Sequence, residues 1–147
     1  MKIAVSACLL GENCKYNGGN NYSETTAEFL KGHEVIAVCP EVMGGLPTPR
    51  ESSEIVNGVV RHRDGSSVDA EFRRGAESAL QKVIDSGAEL VILQSRSPSC
   101  GVKSVYDGTF TGTLIPGRGV FAQMLVERGI KVTDVAELSK TTATTEK

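Results

Sequence analysis

Apolar residues gather along this chain in four short, β-branched runs, at 3–8, 34–39, 89–93 and 130–135. Three of them are apolar almost throughout instead of at alternate positions, which is how strands buried on both faces of a parallel sheet read. Between the runs the period changes. Over 68–86, Phe72, Ala76, Ala79, Leu80 and Val83 form one stripe, with Asp69 placed to cap and Gly87 to stop it. That spacing predicts an amphipathic helix. Segments 25–31, ended by Gly32, and 119–128, ended by Gly129, predict two more. Strand–helix alternation joins parallel strands by right-handed crossovers. The pattern predicts an α/β class: a Rossmann-like, open three-layer domain with a mainly parallel sheet of about four strands plus small β-hairpins.

Two stretches interrupt the alternation. Residues 54–65 predict a hairpin with Asn57-Gly58 at its turn and Asp64-Gly65 at a second turn. Residues 95–116 predict a long loop in which Asp107-Gly108 marks another hairpin. Loops of this length inside a compact domain are commonly functional. No internal repeat is visible, so 1–137 is expected to be a single α/β domain and 138–147, rich in Thr and Lys, a flexible C-terminal tail.

Composition narrows the partners. The 147 residues suit one domain, and 39% hydrophobic with 23% charged residues is ordinary for a globular protein. A net charge of -2 provides no broad basic surface, and the absence of Trp argues against a base-stacking platform of the kind that binds single strands. No stable nucleic-acid complex is therefore expected. No apolar run reaches bilayer length, and Met1-Lys2-Ile3-Ala4-Val5 reads as a strand and not as a signal peptide. The expected setting is the cytoplasm, where the four cysteines stay reduced and serve metal binding or catalysis in preference to disulfides.

Three of those cysteines sit at equivalent places. Cys8 ends the first predicted strand, Cys39 ends the second, and Cys100 follows the third. In a parallel sheet these carboxyl ends share one edge, the usual ligand crevice of open α/β folds. A single strand cysteine is most often a small core residue. Three at matching ends, each beside Gly- or Pro-containing irregular chain, point to a shared ligand. Three thiolates suit zinc or an iron–sulfur cluster. Zinc calls for a fourth ligand. His33 precedes the second strand and belongs at the opposite edge, while His62 lies in the hairpin. Cys14, in the loop after Cys8, could complete either set; without it, a three-cysteine 4Fe-4S cluster with one open iron follows.

The blocks Cys8-Leu9-Leu10-Gly11-Glu12-Asn13-Cys14-Lys15-Tyr16-Asn17-Gly18, Cys39-Pro40-Glu41-Val42-Met43-Gly44-Gly45-Leu46-Pro47-Thr48-Pro49-Arg50 and Ser97-Pro98-Ser99-Cys100-Gly101 resemble the signature blocks of the thiouracil desulfidase family. Tyr106-Asp107-Gly108-Thr109-Phe110 and Gly117-Arg118-Gly119-Val120 resemble it too. Asn17 and Lys15 depart from the aspartate and arginine expected of many relatives, which touches the first loop and not the cluster. The resemblance implies a 4Fe-4S cluster held by Cys8, Cys39 and Cys100, which oxygen can strip; Cys14 is expected outside the ligand set, because it follows Cys8 in a loop and gripping sulfur by iron needs an open position. It implies Glu41 and Ser99 as the catalytic pair. The implied reaction is non-redox, hydrolytic removal of sulfur from thiouracil or a related thiolated nucleobase or nucleoside, a small-molecule partner.

The chemistry is consistent with those residues. A thiocarbonyl sulfur is soft and matches an iron of a sulfide cluster. Glu41, two residues after Cys39, is placed to take a proton from water, and Ser99 to orient substrate or relay the proton. The plainer alternatives are a Glu41 that merely pairs with Arg50 and a Ser99 that only bonds a turn. Arg50 and Lys103 read either as partners for an anionic substrate group or as surface charges, and Arg118 as a loop charge. Two other functions compete. A non-catalytic nucleotide-binding α/β domain is disfavoured by the missing G-x-G-x-x-G after the first strand. A cysteine-nucleophile enzyme using Cys100 is disfavoured by the lack of a neighbouring histidine.

Overall fold

The computed structural model describes residues 1–138, and the expected tail lies outside the described residues except for Leu138, which is buried. Strands β1 (Lys2–Ser6), β2 (Glu34–Val38), β5 (Leu90–Leu93) and β8 (Val132–Asp134) form a four-stranded sheet in the order β2-β1-β5-β8. All three pairings are parallel, with Ala4 opposite Ile36 on one side and Val91 on the other. The chain builds outward from β1 to β2, then crosses back to β5 and β8. The β1–β5 border is therefore the topological switch point, where ligands enter open α/β sheets.

Both faces of the sheet are covered, which is why its strands carry continuous apolar runs. Ala4, Val91 and Leu93 face a core with Phe72, Ala76, Ala79 and Val83 of α3 (Asp69–Ser86) and Phe121 and Leu125 of α4 (Val120–Glu127). Ile3, Val5, Leu90 and Ile92 point the other way, onto Leu9, Leu30 of α1 (Glu24–Leu30) and Leu138. Each such large side chain contributes roughly 1.5–3 kcal/mol when fully buried. The expected three-layer α/β class, with a mainly parallel sheet, is the one observed.

The hairpins are also where the turn residues placed them. Strands β3 (Ser53–Val56) and β4 (Val59–His62) pair antiparallel around Asn57 and Gly58, whose φ values of 49° and 81° make the two-residue turn that matches strand twist. Strands β6 (Ser104–Tyr106) and β7 (Leu114–Pro116) form the second. Three details differ from expectation. The strands stop short of the cysteines: β1 ends at Ser6, followed by a 3-10 turn at Ala7–Leu10, and β2 ends at Val38, followed by the one-turn helix α2 (Pro40–Met43). Helix α1 begins a residue early, because the Ser23 hydroxyl accepts from Thr26 N–H. Asp69 does not cap α3; it is the first helical residue, and its carboxylate accepts from Val60 N–H at 3.0 Å and Arg73 at 2.7 Å. The tertiary contact to β4 outcompetes the local cap.

Helix α2 lies backbone-to-backbone on α3. A Cβ at Gly75 would come within 1.7 Å of the Pro40 carbonyl oxygen, and one at Gly44 within 2.0 Å of the Glu71 carbonyl oxygen. Gly75→Ala thus pits two effects against each other. Alanine's better helix propensity is worth ~1 kcal/mol, while overpacking against backbone typically costs ~1–3 kcal/mol or more. The clash should win. Thermal denaturation is expected to show a midpoint several degrees lower, and an unchanged or higher midpoint would show that α2 moves freely.

Candidate active site at the carboxyl edge of the sheet

A cleft of about 580 Å³ opens at the carboxyl edge, within the roughly 300–1,000 Å³ typical of ligand sites. Cys8, Cys14, Cys39 and Cys100 all line it, and all four are free thiols. Each of the three expected ligands is placed by a different device. Cys8 sits in the 3-10 turn, anchored by buried Leu9 below it, and its carbonyl accepts from Gly11 and Asn21 N–H. Cys39 is the N-cap residue of α2, with Pro40 starting the helix and Glu41 in its first turn. Cys100 lies in a tight turn closed by Cys100 N–H on Ser97 Oγ at 2.7 Å and Gly101 N–H on the Ser97 carbonyl at 3.0 Å. That turn docks on the start of α4, where the Ser99 carbonyl accepts from Phe121 and Ala122.

The sulfurs carry hydrogen-bond donors. Asn21 Nδ2 stands 3.6 Å from Cys8 Sγ and Ser99 Oγ 3.6 Å from Cys100 Sγ. Ser6 also reaches Cys100, and the Val42 backbone reaches Cys39. Cys14 lies against both Cys39 and Cys8. Contact with Cys14 draws the Cys8 thiol down to about 7 and lowers Cys39, and the same contacts hold Cys14 far above the usual thiol range. Burial pushes the Cys100 thiol up to about 12. An activated cysteine nucleophile needs the reverse shift.

Glu41 and Ser99, paired on paper by the family blocks, are paired in space. Ser99 Oγ donates to Glu41 Oε2 at 2.9 Å, and Ser97 Oγ lies 3.2 Å from Ser99 Oγ. Arg50 takes the other carboxylate oxygen, with Nε at 3.1 Å and Nη2 at 2.9 Å from Oε1. Its side chain is 4% exposed and also donates to the carbonyls of Pro47 and Cys14 and to Thr48 Oγ1. Arg50 therefore ties the Cys14 loop to Glu41 and orients the carboxylate. Lys103 pairs with Glu137 and Arg118 with Gln123, and neither lines the cleft. Asp107 holds its own turn through Thr109.

The histidines stay away. His33 bonds the N-terminal amine at the amino edge, as expected, and His62 bonds Ser53. Among the described residues, no three His, Cys, Asp or Glu side chains converge on a point that one metal ion would occupy, as tetrahedral zinc requires. The four thiols line the cleft together. Asn21, Ser6 and Ser97 were missed in the sequence. Asn21 carries no local signal, whereas Ser97 was legible as the first Ser of a Ser-Pro-Ser turn.

A switch-point crevice lined by thiols, a carboxylate and a hydroxyl defines the chain as an α/β domain with a thiol-lined cleft at the carboxyl edge of its sheet. The 2-thiouracil desulfurase family model matches residues 3–137, and the chain belongs to that family. The uncharacterized protein YbbK of Bacillus subtilis (strain 168) is 36% identical over 147 residues, covering 93% of this chain and 97% of the relative. The solved structure of the 4Fe-4S-dependent thiouracil desulfidase TudS matches with a TM-score of 0.86 at 38% identity, over 97% of each chain. The resemblance read from the cysteine blocks is borne out. No described helix is long and apolar enough to cross a membrane.

Proposed function

We propose that this protein is a 4Fe-4S-dependent desulfidase that removes sulfur hydrolytically from thiouracil or a related thiolated nucleobase or nucleoside in the cytoplasm. The observation that carries the proposal is the meeting of Cys8, Cys39 and Cys100 with the hydrogen-bonded Glu41–Ser99 pair in one cleft. The residues fit a cluster. Cys8, Cys39 and Cys100 would hold it, because Asn21, the Val42 backbone and Ser6 respectively are placed to donate to them, as suits a ligating thiolate.

When bound, the cluster supplies a soft Lewis acid for the thiocarbonyl sulfur. The protein's own groups supply the rest. Water attacking the ring carbon must lose a proton, and Glu41 Oε2 accepts it, directly or through the Ser99 hydroxyl between. Arg50 holds Oε1 and so keeps the carboxylate turned to Ser99. The test is anaerobic reconstitution followed by iron analysis and a 4-thiouracil absorbance assay with sulfide measurement. Iron binding with sulfide release is expected. Protein that binds no iron, or binds it and leaves thiouracil intact, sinks the proposal.

Cys14 is assigned outside the ligand set, since it lies in the loop after Cys8 and a desulfidase that takes sulfur from its substrate would need one iron left open. Serine keeps an O–H donor. Cys14→Ser is therefore expected to retain most of the cluster absorbance. A loss as deep as that of Cys8→Ser would establish four-cysteine ligation.

A further inference from the structure

Among the described non-glycine residues, Asn57, Arg96 and Phe110 have left-handed backbones. The tight turn explains Asn57. Phe110, at φ 58°, is a bulky residue in a conformation that bulky residues rarely adopt. It is held there from both sides. The Glu54 carboxylate, on a residue 8% exposed, accepts from Phe110 N–H at 3.1 Å and Gly108 N–H at 2.9 Å. Arg63 Nη2 donates to the Phe110 carbonyl at 3.0 Å, and its guanidinium stands over the ring, 5.9 Å from the centroid. Glu54, Arg63 and Phe110 all line the cysteine cleft. Strained backbone over-determined by its neighbours clusters at ligand clamps.

We propose that this clamp presents the Phe110 ring as the stacking face for the substrate's pyrimidine ring, making Phe110 a specificity-determining residue. The identity of the base rests on the desulfidase reading. A pyrimidine is flat and stacks on an aromatic face whatever its substituents. Arg63 covers one face of the phenyl ring through a cation–π contact, and the base takes the other. Sulfur chemistry then belongs to the cysteine end of the cleft and ring recognition to the Phe110 end. Glu54 is a positioning residue, acting through the Phe110 backbone.

The experiment compares cluster-loaded wild type with Phe110→Leu, Phe110→Gly and Phe110→Tyr. Uracil binding is followed by calorimetry and 4-thiouracil turnover by sulfide release per iron. Leucine keeps bulk without a π face, and glycine takes a positive φ freely, so Phe110→Gly should fold. Both are expected to weaken uracil binding and raise KM by roughly five- to a hundredfold, the effect of losing one base–aromatic stack. Their kcat per iron should hold, and Phe110→Tyr should match wild type throughout. Wild-type binding in Phe110→Leu or Phe110→Gly, loss in Phe110→Tyr equal to that in Phe110→Leu, or unfolding of both Phe110→Leu and Phe110→Gly overturns the platform. Uracil binding that needs the ring in a protein releasing no sulfide supports the platform and overturns the desulfidase reading. A wild type that binds neither uracil nor 4-thiouracil overturns both.

Discussion

Cys39→Ser protein, reconstituted without oxygen, is expected to carry almost no iron and no cluster absorbance, and Cys8→Ser and Cys100→Ser should behave alike. Losing a partner that merely orients a ligand typically costs roughly 10–100-fold in metal affinity. Losing one of three ligands should cost more, because a serine hydroxyl is hard and stays protonated where a thiolate is wanted. The fold should survive, since serine is nearly isosteric and Ser6, Ser99 and the Val42 amide pack around these positions. Iron content and circular dichroism separate the two outcomes. Wild-type iron in any of the three variants would remove that cysteine from the ligand set. The contrast with Cys14→Ser makes the assignment sharp, because all four thiols line one cleft.

Glu41→Gln is expected to keep its cluster and lose roughly 10²–10⁴-fold in turnover, the usual contribution of a general base. Glutamine keeps the length of glutamate and can still bond Ser99, but it cannot take a proton from water. The substitution also removes the charge facing Arg50, whose side chain is 4% exposed beside a Glu41 side chain that is 16% exposed. Breaking a buried ion pair on one side typically costs ~3–5 kcal/mol. Here the cost should be less, because Arg50 keeps three other acceptors, at Pro47, Thr48 and Cys14. Melting should therefore fall modestly while the rate falls steeply. Ser99→Ala supplies the control, since it leaves the Glu41–Arg50 pair intact. Sulfide release from 4-thiouracil, normalised to iron, decides the matter. A Glu41→Gln rate equal to wild type would move the proton to another acceptor, and loss of iron in that variant would make Glu41 a structural support of the cluster.

The sequence by itself determined the sheet and the edge that matters. Runs such as 90–93 are apolar at every position because both faces are covered, and that pattern needs no knowledge of partners. Asn57-Gly58 determined its own turn, since both residues tolerate positive φ. Parallel topology then brought Cys8, Cys39 and Cys100 to one edge, and the family blocks paired Glu41 with Ser99. The tertiary structure alone decided how these groups are held. The Glu41–Arg50 pair was legible only as one alternative, and Arg50's choice of Glu41 over solvent or an anionic substrate group goes with its hold on the Cys14 carbonyl. Asp69 looked like a cap until β4 offered it a backbone N–H. Gly75 has no side chain because α2 presses its backbone there. Phe110 was only the last residue of a block resembling the family, and the grip of Glu54 and Arg63 on its backbone comes from segments far away in sequence. Periodicity and turn chemistry are local and survive in one dimension. Which buried charge meets which donor is set by packing between segments distant along the chain, and no local pattern records it.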